Sequence, residues 1–451
     1  MKVKHIINTS LMCATAAMLS TSCTFEQEDY FDESASLRIT HLNEDIQSRL
    51  VNQSTGENNG WVIQYFVAGT DEMDFEGFNL FGRFYKNNTV TLASNHRYLR
   101  NGNANKYTEH TSHYEMLAEE GPVLSFNTWN DILTVFEDPV SPTSAPGSIE
   151  QDGVGMNGDH NLVLKSYNEN EIVFRGERHS ALVRFVPCDR SFEEYIAAVN
   201  DFKNSITSNT MSNFIVTNGT DTMYFAGLNK GLFGYYDRLV DPLKRKTLSC
   251  VFTPNGFLLN HVDSLGTQTF QEFTMAEDKQ KLLSEDGLTK VVSMWENYVL
   301  TNTTLWKFDT SVFSAEQTSL FEQINEEIKK HNANWSLESI GMGKSSGGGA
   351  VNGLVFTFYT NAAKTRTNTA GLALTKNKAG EAQIQIIADP SDKIDNNMTT
   401  ICKKATNLET LARSFAATLN GTYSVTPDNY FIPTGGTYTA VNGGTTFVLA
   451  K

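Results

Sequence analysis

Residues 34–66, SASLRITHLNEDIQSRLVNQSTGENNGWVIQYF, place a helix, a turn and a strand in that order, and this order decides the fold class. Ala35, Leu37, Ile39, Leu42, Ile46 and Leu50 recur at three-to-four spacing, the apolar stripe of an amphipathic helix. Ser34 or Ser36 can cap it, because a serine hydroxyl accepts from an otherwise unpaired first-turn N–H. Asn52 to Gly60 supply turn residues, and Trp61 to Phe66 read as a strand. Strands are expected again at Phe78–Tyr85 and Thr89–Ser94, with Asn87-Asn88 as the hairpin turn between them. More follow at 112–118, 123–127, 133–136, 161–166, 171–175 and 180–187, with a Ser/Pro/Gly loop over 139–158.

The scheme then restarts twice. Ser191, Phe192, Tyr195, Ile196, Val199, Phe202 and Ile206 give a second capped helix, and strands are expected at 213–216, 222–226, 232–237, 247–253, 256–259 and 269–274. From Ser314, the residues Leu320, Ile324 and Ile328 mark a third helix, with Lys329, Lys330 and His331 at its negative end. Strands at 335–340, 353–359, 369–376 and 382–388 come next. A helix over 408–419 and a terminal hairpin-like pair, 421–425 with 445–450, end the chain. The expected fold class is α+β: antiparallel meanders, each preceded by a helix that covers one sheet face, in three units at 34–188, 189–308 and 309–451.

The first 33 residues read as an address. Lys2 and Lys4 precede an uncharged, largely apolar run from Ile6 to Leu19, too short for a bilayer span but suited to a cleaved signal peptide over 1–22. Leu19-Ser20-Thr21-Ser22-Cys23 then reads as a lipobox, with Cys23 lipidated as the first mature residue. The pattern usually has Leu three places before the cysteine, where Ser20 stands here; an ordinary secretory signal with an incidental cysteine is the alternative. Glu26, Glu28, Asp29, Asp32 and Glu33 make residues 23–33 an acidic tether, similar to the surface-export signal of Bacteroidetes lipoproteins. The expected location is the outer membrane, lipid-anchored and facing the exterior.

Removing residues 1–22 takes two of the 36 basic residues and no acids, leaving 34 against 51 acidic residues and a balance of −17. That sign gives no electrostatic footprint for nucleic acid. Cys188, Cys250 and Cys402 remain, with no CxxC spacing, so buried thiols are expected rather than a zinc knuckle or a disulfide framework. One disulfide among the three stays open.

Several stretches taken together resemble the domain-of-unknown-function family 4302, a group of Bacteroidetes lipoproteins. They are Asp32-Glu33-Ser34-Ala35-Ser36, Asn59-Gly60-Trp61 with Tyr65, Gly77-Phe78 before Phe84, the run from Gly121 to Asn130, and Gly158-Asp159. Family members tend to carry Tyr-Glu-Phe after that Gly-Asp, where this chain has His160-Asn161-Leu162. The resemblance covers roughly residues 23 to 187. It implies a neighbourhood of SusC/SusD-like import pairs and an accessory role in capturing a glycan or peptide; it carries no catalytic residues.

Candidate chemistry is sparse. His110 and His113, three apart on a strand, face opposite ways and make a poor joint metal site. Asp152, Asn157 and Asp159 offer oxygen ligands in a Gly-rich loop that could hold calcium, without the acid spacing of an EF-hand; a plain turn is the alternative. Gly341-Met-Gly-Lys-Ser345 imitates the end of a phosphate loop but lacks its first glycine and reads as a turn between strands. Glu193-Glu194 and Glu326-Glu327 read as solvated helix faces. Of the aromatics, Trp61 and Trp335 suit helix–sheet packing, and Tyr235-Tyr236 could contribute to a sugar-stacking surface. Trp129, in the polar turn Asn127-Thr-Trp-Asn130, is the best candidate for an exposed sugar platform, with Asn127 and Asn130 beside it. The expected function is a non-enzymatic surface binding or scaffolding lipoprotein of a SusC/SusD-like uptake system, with no cofactor. The alternatives are a glycan or peptide hydrolase whose residues converge only in space, and a purely structural envelope protein.

Overall fold

The computed structural model describes residues 33–67, 75–119, 121–138, 156–209, 211–228, 232–236, 246–301, 304–346 and 348–451, with backbone alone at 232–236 and 246–247. Cys23, Asp152, the side chains of Tyr235 and Tyr236, and the leader and tether up to residue 32 lie outside them.

The first helix, α1 (Ala35–Asn52), starts where Ser34 Oγ accepts from Leu37 N–H. The sheet that follows comprises β1 (Trp61–Tyr65), β2 (Phe78–Phe84), β3 (Thr89–Ser94), β4 (Thr108–His113), β5 (Glu115–Ala118), β6 (Pro122–Ser125), β7 (Asn161–Tyr167), β8 (Ile172–Gly176) and β9 (Leu182–Pro187). Its order is β4-β3-β2-β1-β9-β8-β7-β6-β5, antiparallel throughout. The two edge strands are consecutive in the chain and separated by Tyr114 alone, so the sheet curls until its edges form one bent segment. Tyr114 is buried at that bend, its ring 5.0 Å from Phe84. Bringing the edges together leaves little unpaired ladder for another chain to join. Alternate residues of β1, namely Trp61, Ile63 and Tyr65, point into the curl with Leu80, Phe84 and Phe174. Ile46, Leu50 and Val51 of α1 join this core, and α1 touches β2, β5 and β6. The helix thus fills the hollow rather than lying over one flat face.

The next helix, α2 (Phe192–Ile206), begins with a reciprocal cap: Ser191 Oγ accepts from Glu194 N–H and Glu194 accepts from Ser191 N–H. It precedes a closed barrel of β10 (Asn213–Thr217), β11 (Thr222–Ala226), β12 (Leu232–Tyr236), β13 (Lys246–Thr253), β14 (Gly256–Leu265), β15 (Gln268–Met275), β16 (Leu282–Ser284) and β17 (Lys290–Ser293). Phe214, Phe225, Phe257, Phe270 and Phe273 pack its interior, and eight strands leave a bore that side chains can fill.

The third sheet repeats the first. After α3 (Trp295–Thr301) come β18 (Trp306–Phe308), α4 (Ala315–His331), β19 (Ser336–Lys344), β20 (Asn352–Tyr359), β21 (Thr367–Ala373), β22 (Thr375–Gly380) and β23 (Gln383–Ile387). Helices α5 (Asn396–Cys402) and α6 (Leu408–Ala417) lead to β24 (Gly421–Pro427), β25 (Gly435–Ala440) and β26 (Phe447–Ala450). The order is β21-β20-β19-β18-β26-β25-β24-β23-β22, and again the edges are consecutive strands separated by one buried residue, Leu374. Ser314 caps α4 reciprocally with Gln317, and α4 packs on α6 and β19 through Leu320, Ile324 and Ile328.

The architecture is mixed α+β, with more sheet than helix, and a helix precedes the first two sheets as expected. Four local expectations are corrected. Residues 134–136 form a 3-10 turn, not a strand; Val135 and Phe136 are both buried, and a short apolar run fits either state. The segments 421–425 and 445–450 are not a hairpin, because β25 lies between β24 and β26. Gly341 to Lys344 end β19 instead of forming a turn; a Cβ at Gly341 would stand 2.4 Å from the Trp306 carbonyl oxygen, so strand pairing requires glycine there. Glu327 is buried rather than solvated, paired with Lys330 at 2.6 Å and accepting from Asn407 N–H. Among the described residues no helix is long and apolar enough to cross a membrane.

Candidate functional site

Trp129 is 47% exposed, while Trp61, Trp295 and Trp306 are buried and Trp335 is half-buried against His331 and Phe358. The turn between β6 and the 3-10 segment carries it outward because Asn130 anchors inward. Asn130 is fully buried: its amide donates to the His110 carbonyl at 3.1 Å and Ser112 Oγ at 2.9 Å, and its side-chain oxygen accepts from Ile132 N–H. The indole N–H donates to Asp131 Oδ1 at 2.6 Å, and the Arg100 guanidinium stands 5.7 Å from the ring centroid. Asp131 also meets His110 Nδ1 at 3.0 Å. Hydrogen bonding from Trp129, with His110 and Arg100 close by, holds the Asp131 carboxyl below its ordinary range. Asn127, two residues before Trp129, is exposed and donates to Glu115 Oε2 at 3.2 Å. The fold therefore brings Trp129 and Asn127 to one surface and turns Asn130 into the structure. A half-open indole fixed at its N–H end, with a carboxylate and a guanidinium against it, can stack on an apolar ring face and hydrogen-bond its substituents.

The loop residues considered for calcium are separated in role. Asn157 is exposed with φ +57°, and Asp159 is 2% exposed. The two Asp159 carboxylate oxygens accept from the N–H groups of Arg178 and His179, each at 3.0 Å, which fixes the turn after β8. Gly176 permits this, since a Cβ there would stand 2.0 Å from Asp159 Oδ2. Among the described residues no group of three His, Cys, Asp or Glu side chains is placed to hold a metal ion. On β4, half-buried His110 meets Asp131 and His113 is exposed. Cys188, Cys250 and Cys402 are free thiols, the first two buried.

Two clefts flank α2, and neither was visible in the sequence, because their walls come from distant segments. Phe192 and Tyr195 of α2 pack on Val62, Phe81 and Ala93, on the outside of the first sheet, while Phe202 and Ile206 enter the core of the second barrel. On one side a cleft of about 230 Å³ lies between the first sheet, α2 and β13. Its walls include Glu76, Asn79, His96, Arg97, Asn200 and Lys203. Glu76 pairs with Arg97 at 3.4 Å, yet burial outweighs the two nearby cations and raises its carboxyl. Burial likewise pushes the His96 imidazole down to about 4, so it is neutral at neutral pH. On the other side a cleft of about 760 Å³ lies among α2, the β13–β14 and β15–β16 turns and the β24–β25 loop. Phe202, Met275, Tyr430 and Phe431 are among its apolar walls, with Asp201, Asp278, Asp428 and Lys279 around them.

Among solved structures, the chain is similar to the DNA polymerase III subunit beta from Pseudomonas aeruginosa at 6% identity and a TM-score of 0.13, over 92% of this chain and 97% of that one. The Borrelia burgdorferi subunit in complex with a natural product is similar at 8% identity and a TM-score of 0.12, over 92% and 96%. Likenesses at these scores carry no argument about fold or function. No curated protein matches the sequence. The family described as "Domain of unknown function (DUF4302)" matches residues 27–277, spanning the first sheet and β10 to β15 of the eight-stranded barrel. With more than half of its length matched, the chain belongs to the DUF4302 family.

Proposed function

We propose that this protein is a surface-anchored binding lipoprotein, held in the outer membrane by lipid on Cys23, that captures glycans as an accessory to a SusC/SusD-like import pair. The observation that carries the reading is the Trp129 platform. An indole exposed among buried tryptophans, yet held by Asp131 and Arg100, presents a flat apolar face at little cost in side-chain ordering. Pyranose rings offer the complementary apolar face, and their equatorial hydroxyls would reach Asn127 and the rim charges. The lipobox and the acidic stretch from Glu26 to Glu33 support the location, since a solvated leash would hold the platform clear of the lipid surface.

The test is a glycan array probed with the mature chain and with Trp129→Ala, followed by titration of any hit. Binding that Trp129→Ala removes supports the reading. An array without hits, or hits indifferent to Trp129, would sink it.

A further inference from the structure

The cleft between the first sheet, α2 and β13 has a polar character unlike the Trp129 surface. Lys203, on its α2 wall, forms no ion pair with any described carboxylate; its Nζ stands 5.2 Å from the centroid of the Phe252 ring. Two acceptors in the opposite wall are unmatched. His96, 7% exposed, has Nε2 3.0 Å from the Ile132 carbonyl, which can only accept, so Nε2 carries the proton and Nδ1 a lone pair. That Nδ1 has no partner among the described residues, and neither has Oδ1 of Asn79, whose amide donates to the Phe252 carbonyl. Both belong to residues that line the cleft, where the donors of an entering group would satisfy them. Glu76 adds a third acceptor, since its pairing with Arg97 at 3.4 Å is loose. Lys203, whose charge is felt by Glu76 without a direct ion pair, lies on the α2 wall, and the acceptors lie on the wall of the first sheet.

We propose that this cleft binds a small carboxylate-bearing ligand with several N–H or O–H donors, its carboxylate on Lys203 and its donors toward Glu76, Asn79 and His96. A volume of about 230 Å³ equals roughly eight waters at ~30 Å³ each, the size of an amino acid or one sugar-acid ring. Both ligands share the required chemistry. The site is separate from Trp129 and does not depend on the glycan reading.

Isothermal titration of the mature full-length chain in detergent tests this, with L-glutamine and D-galacturonate as probes. 4-Aminobutanamide and D-galactose serve as their carboxylate-free counterparts. The expected result is saturable one-to-one binding of one acid, at least tenfold tighter than its carboxylate-free counterpart. Lys203→Met and Glu76→Gln should each weaken it at least tenfold, while Trp129→Ala leaves it unchanged. Failure of both acids to bind, equal binding of the carboxylate-free compounds, or binding indifferent to Lys203→Met would overturn the proposal. The comparison among compounds uses the unaltered protein, so it stands even where a variant misfolds.

Discussion

Asn429, in the β24–β25 loop of the third sheet, donates its side-chain amide to the carbonyl of Ser205 in the last turn of α2, at 3.1 Å. The same loop places Tyr430 so that its carbonyl accepts from Ser293 Oγ, and buries Phe431 in the core of the second barrel, 6.1 Å from Phe214. Among the described residues the second barrel has no α-helix between its strands; α2 and this loop together close its core. Phe431→Ala should therefore cost about 3–5 kcal/mol, the range for deleting a buried aromatic ring. Denaturant unfolding followed by a probe in the second barrel measures it, and a loss under about 1 kcal/mol would show the loop to be a loose contact.

Tyr65 makes a second long-range tie. Its hydroxyl accepts from Asp159 N–H at 2.8 Å and donates to the Asp159 carbonyl at 3.1 Å, inside the first sheet. Tyr65→Phe keeps the ring and its stacking on Phe136 but strands two buried backbone groups. The expected destabilisation is about 1–3 kcal/mol in equilibrium unfolding. An unchanged midpoint would mean that water replaces the hydroxyl without loss.

The buried His96 gives stability a pH dependence with a definite sign. Its folded pKa lies at about 4, below the ordinary value of 6.5, so between these pH values the unfolded chain binds the extra proton. The stabilisation is whole above pH 6.5 and fades as pH falls toward 4. At 1.36 kcal/mol per unit, wild type should lose about 2 kcal/mol relative to His96→Gln between pH 7 and pH 5. Glu76 and Glu137, whose carboxyls are raised chiefly by burial, work in the opposite direction in both proteins, so the difference isolates the histidine. A difference that stays flat over this range would refute the assignment.

Under the lipidation proposed at Cys23, Cys23→Ser should move the protein from the membrane pellet to the soluble fraction, because the exchange removes the thiol that would carry the lipid. Fractionation of cells carrying each form, with protease shaving of intact cells, measures both anchorage and sidedness. Equal membrane recovery of the two forms would contradict lipidation at this residue.

What the sequence disclosed follows from the range of the forces involved. Ser191 and Ser314 were legible as helix starts, and Ser34 as one of two candidates beside Ser36, because a cap is a contact across three residues. The Asn87-Asn88 turn was legible for the same reason, and Asn88 takes the left-handed conformation there, with φ +60°. Curling of the first sheet was not legible. It depends on a bend at Tyr114, which looks like one more apolar residue in a strand, and on α1 entering the hollow. Trp129 stood out because its neighbours Asn127, Thr128 and Asn130 are polar, yet the pattern could not say that Asn130 would turn inward. Glu76 and Lys203 carried no signal at all: each is one ordinary charge, and only the packing of α2 between two sheets sets them in one cleft.

Capture of a glycan on the indole is tested by the affinity of the mature chain and of Trp129→Ala for a glycan that the array selects. Trp129→Ala should lose at least tenfold in affinity, about 1.4 kcal/mol, with an unchanged unfolding midpoint, because the indole is exposed and packs little. Equal affinities, or a loss that merely tracks a lower midpoint, would contradict it.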